Sequence, residues 1–468
     1  MKVLFVLPEY GAGVRGGIAR FYQHAIAGLR SVDCQVEVCI ASCDVLETIA
    51  EDVPIRGLER KEVTAAEGRL SHFALFPALR YQLALAFAAY ERCLGGDGYD
   101  VVEVTDWGLL YVPWLAQGLR RAPVVVQLHG SPGQIGYKDP LVGEELSALL
   151  TRALEVTYLP RADDLQTPGL ANASDWQHLL GQKVRHIPPA WPAPRANSAP
   201  LVSNAFGVVA ARLQSWKGPE LLCKACRELG EHSPTILWVG GDHPFQRLDQ
   251  SMSHYLTATY PEIWGRKIIP LGSQPQEVTR SVQNAASFVV HPSSWDVFGL
   301  AVVEAMEAGK VVICSDQAGV ASLIEQGKNG FVYPGQDFCR LAELLKSVSE
   351  LDLPTLTRLG EQARHTIADK LDMQKITNIR LASYATLRPR RDDVGHPWLA
   401  SVFGPKQIST IYEDVLLDKM PLRLLLEYTA KRLARRSLRM KRKAVTPPSL
   451  TPKEVTTLLG SLAEGRVK

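Results

Sequence analysis

Long apolar runs are missing from this 468-residue sequence. Its most apolar segment, Phe73 to Tyr90, is interrupted by Pro77, Arg80 and Gln82, whereas a membrane-spanning helix needs ~20 consecutive apolar residues. The segment therefore reads as an amphipathic or buried helix. A signal peptide is not expected either, because Lys2 is followed only by V-L-F-V-L, which is strand length and carries no cleavage site. The eight cysteines follow no repeating framework, so they are expected to be reduced thiols of a cytoplasmic protein. Cys223 and Cys226 spell a C-x-x-C, but inside a helical pattern (Leu221, Leu222, Ala225, Leu229) and without a second pair. Core thiols are expected there rather than metal ligands. A strong charge of either sign is also absent: 52 Lys and Arg against 49 Asp and Glu leave +3, too little to imply a nucleic-acid partner.

Hydrophobic residues make up 46% of the chain and charged residues 22%, the balance of an ordinary globular protein. The length suffices for two or three domains with full cores. Val3 to Leu7, Val36 to Ile40, Val101 to Val104 and Val124 to Leu128 are short runs rich in β-branched residues, and Ile18 to Leu29 has helical period. This alternation predicts an α/β domain over residues 1–190 with a largely parallel sheet. Pro188 to Pro200, P-P-A-W-P-A-P-R-A-N-S-A-P, has no periodicity and predicts a semi-rigid linker over 191–200, on which two domains can close over a ligand. A second α/β unit is expected over 201–370, with strands at Gly207 to Ala211, Ile236 to Gly241, Lys267 to Gly272 and Ser287 to Val290.

The turn after the first strand reads P-E-Y-G-A-G-V-R-G-G-I-A, in which Gly11, Gly13 and Gly16 spell G-x-G-x-x-G. That raises the reading of an NAD-dependent dehydrogenase. In the dinucleotide fingerprint the first glycine follows the strand directly, whereas Pro8, Glu9 and Tyr10 intervene here. Gly16 and Gly17 sit instead at the helix start, where backbone can approach a ligand closely.

Ser287 to Gly309, S-F-V-V-H-P-S-S-W-D-V-F-G-L-A-V-V-E-A-M-E-A-G, is where the chemistry is expected. An apolar strand passes through the loop His291 to Val297 into a helical pattern that begins at Phe298 and stops at Gly309. The unpaired N–H groups and positive dipole end of such a helix make a ready phosphate site. Asp296 and Glu304 flank the helix start. From spacing alone, a solvated Glu304 with Asp296 as a helix-entry residue is as good a reading as a functional pair.

The motif S-x-x-D-x-F-G-L-x-x-x-E-A resembles the E-x7-E signature of retaining glycosyltransferases of the GT-B fold, family 4, with Asp296 where that family usually has Glu. Other stretches carry the same resemblance over residues 1–387. P-E-Y-x(5)-G-G-I-A, with Gly16 and Gly17, is similar to the family's opening glycine pair. V-V-V-Q-L-H-G places His129 where a family histidine contacts the donor sugar. R-L-Q-S-W-K-G is similar to G-R-L-x-x-x-K-G, in which Arg and Lys clamp the donor diphosphate; Ala211 replaces the first Gly. Taken alone, Arg212 and Lys217 would read as solvated surface charges.

The resemblance implies two Rossmann-like domains facing a cleft, and a crossing helix at 371–390 that returns to the first domain. It implies transfer of a sugar from a nucleotide-sugar donor to a sugar, lipid-linked or small-molecule acceptor with anomeric retention, in glycan, glycolipid or glycoconjugate biosynthesis. By that resemblance Arg212, Lys217, Asp296, Glu304 and His129 are the catalytic set. Gly16, Gly17, Gly272, Val278, Phe298, Gly299 and Leu300 are the donor contacts. An Arg–Lys pair can neutralise a leaving diphosphate without a metal, and no D-x-D pair stands in a loop suited to Mg²⁺ or Mn²⁺, so no metal cofactor is expected. Glu103, Asp106 and Trp107, at the end of a strand, are expected to line the acceptor side. A non-catalytic nucleotide-sugar-binding protein is the alternative.

Residues 391–468 lie outside the resemblance and read as a basic helical extension. Within 420–443 nine basic residues face one acid, Glu427, on a helical pattern containing Leu422, Leu425, Leu426 and Leu433. Such a segment is either a solvated face or a helix that lies on an anionic membrane surface. A final short helix is expected from Lys453 to Leu462.

Overall fold

Val3 to Leu7 are fully buried, because the strand they form runs through the middle of a sheet covered on both faces. The computed structural model describes all residues except 12–15, 45–47, 51–52, 71–72, 75, 117–118, 139–145, 194–205, 246, 391–420, 442–448 and 464–468. Most of the expected linker and the first part of the C-terminal extension lie outside the described residues. The chain divides into two units. The first comprises Met1–Pro168, Ala173–Pro189 and Ile376–Lys443; the second comprises Gly169–Asn172, Ala190–Lys375 and Ala444–Lys468.

The first unit holds eight strands: β1 (Lys2–Leu7), β2 (Gln35–Ile40), β3 (Thr48–Ala50), β4 (Val53–Arg56), β5 (Val101–Thr105), β6 (Val124–Gln127), β7 (Asp164–Thr167) and β8 (Arg185–His186). Their order is β3-β4-β2-β1-β5-β6-β7-β8. Every pairing is parallel except β3 with β4. Chain order reverses between β1 and β5, which opens a crevice at the carboxyl ends of those strands. Helix α1 (Gly17–Arg30) packs Ala19, Tyr22, Ile26 and Leu29 against the sheet, a spacing that puts all four on one face. Helix α2 (Leu146–Tyr158) carries Glu155, which is buried.

The second unit is built on β9 (Phe206–Ala210), β10 (Thr235–Val239), β13 (Ile268–Gly272), β14 (Phe288–His291), β15 (Val311–Ser315) and β16 (Phe331–Tyr333). A small antiparallel hairpin, β11 (Pro244–Phe245) with β12 (Arg247–Ser251), stands apart. The six-stranded sheet is parallel throughout, in the order β13-β10-β9-β14-β15-β16. Its order reverses between β9 and β14. Helix α3 (Pro219–Leu229) follows the loop after β9 and buries Cys223 and Cys226 completely, so the C-x-x-C is core packing. Helix α4 (Leu300–Glu307) follows β14 and buries Val302, Val303, Ala305 and Met306.

Among the described residues five helices follow β16, of which Phe338–Ser349 and Leu353–Lys370 pack on the second unit and three more come after them. From Ile376 on, α5 (Met373–Ala385) belongs to the first unit. There Arg380 is buried and pairs with Glu103 of β5 at 2.7 Å. Tyr384 also donates to Glu103, and Gln166 donates to Ser383 at 3.0 Å. The Arg380 and Tyr384 contacts both fall on Glu103 Oε2, so the buried charge of Arg380 is answered there. Helix α6 (Leu422–Lys441) presents mostly exposed side chains over 422–434. Helix α7 (Pro452–Ala463) buries Val455 and Leu462 in the second unit, in one cluster with Phe206, Val208, Leu237, Leu271 and Val282. The extension is thus partly core. Among the described residues, no helix is long and apolar enough to cross a membrane.

Candidate functional site

In an open parallel sheet a ligand settles beyond the carboxyl ends of the strands where chain order reverses. The second unit brings two loops together at that place. After β9 the chain makes a short turn, Ser215–Lys217, and then passes Gly218 with φ +74. A Cβ on Gly218 would stand 1.8 Å from the Pro292 carbonyl oxygen, so only glycine lets the β9 loop close on the β14 loop. Ser294 then donates its backbone N–H to the Trp216 carbonyl at 2.8 Å. The result is an ion pair: Lys217 Nζ lies 2.6 Å from Asp296 Oδ2, with side chains only 16% and 18% exposed. Arg212 stands exposed at the same strand end.

Asp296 is held from a third side as well. Its backbone N–H donates to Gln317 at 3.1 Å, and its carbonyl accepts from Gly319 at 3.1 Å. His291, at the end of β14 and buried, sets Nε2 3.2 Å from Asp296 Oδ2. Burial by itself would raise the Asp296 carboxyl. The Lys217 ammonium and the His291 ring outweigh it and hold the carboxyl well below the usual carboxylate range. His291 is a member of this group that sequence reasoning missed. Its signal was the polar residue closing the V-V-H run, read there only as the start of a loop.

Gly299, with φ +98, precedes α4 and has no side chain to cap it. The first amides of that helix, at Leu300 and beyond, lack intrahelical acceptors and carry the positive end of its dipole. Phe298 is buried and fastened to the next loop, its carbonyl accepting from Val320 at 2.8 Å. Glu304 lies one turn inside α4 and is partly exposed. Lys217, Asp296 and the segment Phe298 to Leu300 are therefore neighbours. Gly272 and Val278 are not: β13 lies two strands from β9, about 10 Å along the sheet. Val278 packs against the apolar cluster that takes in Val455. Gly272, φ +71, is covered by Ser449, whose side chain a Cβ would meet at 2.3 Å. Gln274 donates to both the Leu271 and the Leu450 carbonyl at 2.7 Å. Ser449 and Leu450 were not legible as neighbours of this strand end, because nothing in their composition marks them.

The first unit has its own reversal point, beyond β1 and β5. Gly16 caps α1, and a Cβ there would stand 1.5 Å from the Glu9 carboxylate; at Gly17 nothing lies within 4 Å. Gly13 lies outside the described residues. His129 follows β6 and donates its backbone N–H to Asp106 Oδ1 at 3.0 Å. Its ring meets Phe21 and Tyr22 edge-on, with centroids 4.6 and 5.4 Å away. Burial, with the Arg380 charge nearby, pushes the imidazole down to about 3, so it is neutral. Burial pushes Asp106 up to about 7, with the Glu155 charge adding to it, and pushes Glu155 itself up to about 7. The expectation that Glu103 and Asp106 line an acceptor surface is wrong. Both are fully buried, Glu103 as the partner of Arg380 and Asp106 under the His129 backbone.

A pair of parallel α/β units, each presenting its polar loops at the reversal point of its sheet, is the GT-B fold. Residues 16–175 match the model described as "Glycosyl transferase 4-like domain". Residues 197–366 match the one described as "Glycosyl transferases group 1". Together these matches, both to glycosyltransferase domains, span most of the two units, and the fold is that of GT-B glycosyltransferases. A D-inositol 3-phosphate glycosyltransferase of Corynebacterium diphtheriae is 29% identical over 288 residues, 57% of this chain and 66% of that protein. The chain thus spans just under two thirds of that relative. The glycogen synthase of Mycobacterium tuberculosis is 23% identical over 82% of this chain and 94% of its own. In fold, the chain is similar to a sucrose-phosphate synthase of Thermosynechococcus elongatus, with TM-score 0.64, 17% identity, and coverage of 82% and 98% of the two chains. It is likewise similar to Anabaena HepE in complex with UDP-glucose, with TM-score 0.58, 18% identity, and coverage of 83% and 100%.

Proposed function

We propose that the chain moves a hexosyl group from a nucleotide-diphosphate sugar to an acceptor hydroxyl, with retention at the anomeric carbon and without a metal ion. The observation that carries this reading is the Lys217–Asp296 ion pair at the carboxyl ends of β9 and β14, beside the open start of α4. A UDP-glucose complex of one structural relative and a glucose-6-phosphate complex of another support a nucleotide donor and a sugar-type acceptor.

In this reading Lys217 and Arg212 meet the charge that grows on the diphosphate as the glycosidic bond breaks. Their attraction is therefore stronger in the transition state than in the ground state. The amides from Phe298 to Leu300 cap the same group. Glu304 accepts hydrogen bonds from the ribose hydroxyls, and Asp296 binds hydroxyls of the transferred sugar. In the first unit His129, being neutral, offers a sugar a ring nitrogen rather than a charge, and the Gly16–Gly17 backbone admits one closely. The departing phosphate oxygen takes the acceptor's proton on the face the acceptor attacks, so no enzyme carboxylate becomes covalently attached.

A thermal-shift screen against nucleotide sugars tests the donor, because a ligand of the native state raises stability by mass action. The expected result is a shift with one donor, lost in Glu304→Ala with the fold intact. Transfer should persist after treatment with a chelator, and NMR of the product should show the donor's anomeric configuration. An inverted product or a trapped glycosyl-enzyme would overturn the proposed course. Donor binding with neither transfer nor hydrolysis would leave only a nucleotide-sugar-binding protein.

A further inference from the structure

The two helices of the C-terminal extension have met opposite fates. Helix α7 places Val455 and Leu462 in the core of the second unit. Helix α6 leaves Leu422, Leu424, Leu426, Tyr428 and Leu433 between 51% and 71% exposed. Three of these side chains, Leu422, Leu426 and Leu433, form an exposed apolar stripe that needs an occupant, while Leu424 and Tyr428 lie on the opposite face. At 100° per residue, Leu422, Leu426 and Leu433 fall within about 40° of one another. Arg423 and Arg432 flank that stripe on either side. The one acid, Glu427, is paired with Lys431 at 2.6 Å.

Charge identifies the occupant. Residues 420–443 carry nine basic residues against one acid, whereas the whole chain carries only +3, so the remainder is net negative. The positive charge is thus concentrated on the segment that also exposes the leucines. A nucleic acid would satisfy the arginines and lysines and give the leucines nothing. An anionic bilayer supplies both parts, phosphates at the headgroup level and hydrocarbon just beneath. We propose that α6 is a surface anchor that lies in the plane of an anionic lipid membrane, with Leu422, Leu426 and Leu433 in the acyl boundary and the flanking arginines on the phosphates. The anchoring is independent of the proposed transfer reaction.

The test is flotation of the full-length protein with vesicles of phosphatidylcholine alone or of phosphatidylcholine mixed with phosphatidylglycerol. Partition onto the mixed vesicles should be at least tenfold stronger and should fall in high salt. The double variant Leu426→Asp, Leu433→Asp should lose it, and Lys431→Glu with Arg432→Glu should weaken it. Because all four side chains are exposed, each variant should unfold at the parent's temperature. Equal binding to both vesicle types, or binding that survives the leucine replacements, overturns the proposal. Two further results would overturn it: retention on duplex DNA unaffected by the leucine variant, and dimerisation through the leucines without vesicles.

Discussion

Lys217 and Asp296 lie 79 positions apart in the chain and 2.6 Å apart in space. Aspartate in place of the family's usual glutamate suits this geometry. A carboxylate one methylene longer, on the order of 1.5 Å, would be driven into the Lys217 ammonium or the His291 ring. Asp296→Glu is therefore expected to lower transfer by roughly 10- to 100-fold, since displacing one charge-stabilising contact has that order of effect. Steady-state kinetics with the preferred donor checks this, and a rise in kcat would show that the loop is slack. The depressed Asp296 carboxyl also carries stability. That contribution is full above the ordinary carboxylate pKa of an unfolded chain and is lost as pH falls through that range toward the lower folded value.

At the scale of the element, the start of α4 depends on one glycine. Gly299→Ala would hold an L-residue at φ +98 and set its Cβ 3.2 Å from Val320 and 3.3 Å from His291. The cost is about 1–2 kcal/mol in the left-handed region. Denaturant unfolding should report that loss, and donor affinity should fall with it because the helix amides shift. In the first unit the loop after β6 lies over two buried acids. The folded state raises Asp106 and Glu155 to about 7 and so binds protons that the unfolded chain has released by pH 5. Stability from these acids is full near pH 4 and lost as pH rises through 7. His129, lowered to about 3, works the other way below pH 6.5, but it is one group against two. The first unit is therefore expected to be less stable at pH 8 than at pH 5.5. Asp106→Asn should flatten that dependence, as measured by unfolding at the two pH values.

For the whole molecule, the C-terminal segment decides where the second unit ends. Ending the chain at Lys443 would remove Val455 and Leu462 from their cluster. Each buried side chain of this kind contributes about 1.5–3 kcal/mol, so roughly 3–6 kcal/mol of stability should be lost. An unchanged unfolding midpoint would show that α7 is an appendage; vesicle binding, which belongs to α6, should persist in this truncation. Strand and helix positions were legible along the chain because buried parallel strands are written as local runs of Val and Ile, and the helix beginning near Phe298 as a local change of period. The loops bearing Lys217 and Asp296 were legible by resemblance. Neither route could find the partner of Glu103, which is Arg380, 277 positions away, or the cover over Gly272, which is Ser449. Local pattern determined the strands, the helices and the loops that carry the charges, since backbone pairing and hydrophobic period act over a few residues. Only the folded chain decided which acids are sealed in and which remain at a working edge, because burial is set by segments remote in sequence.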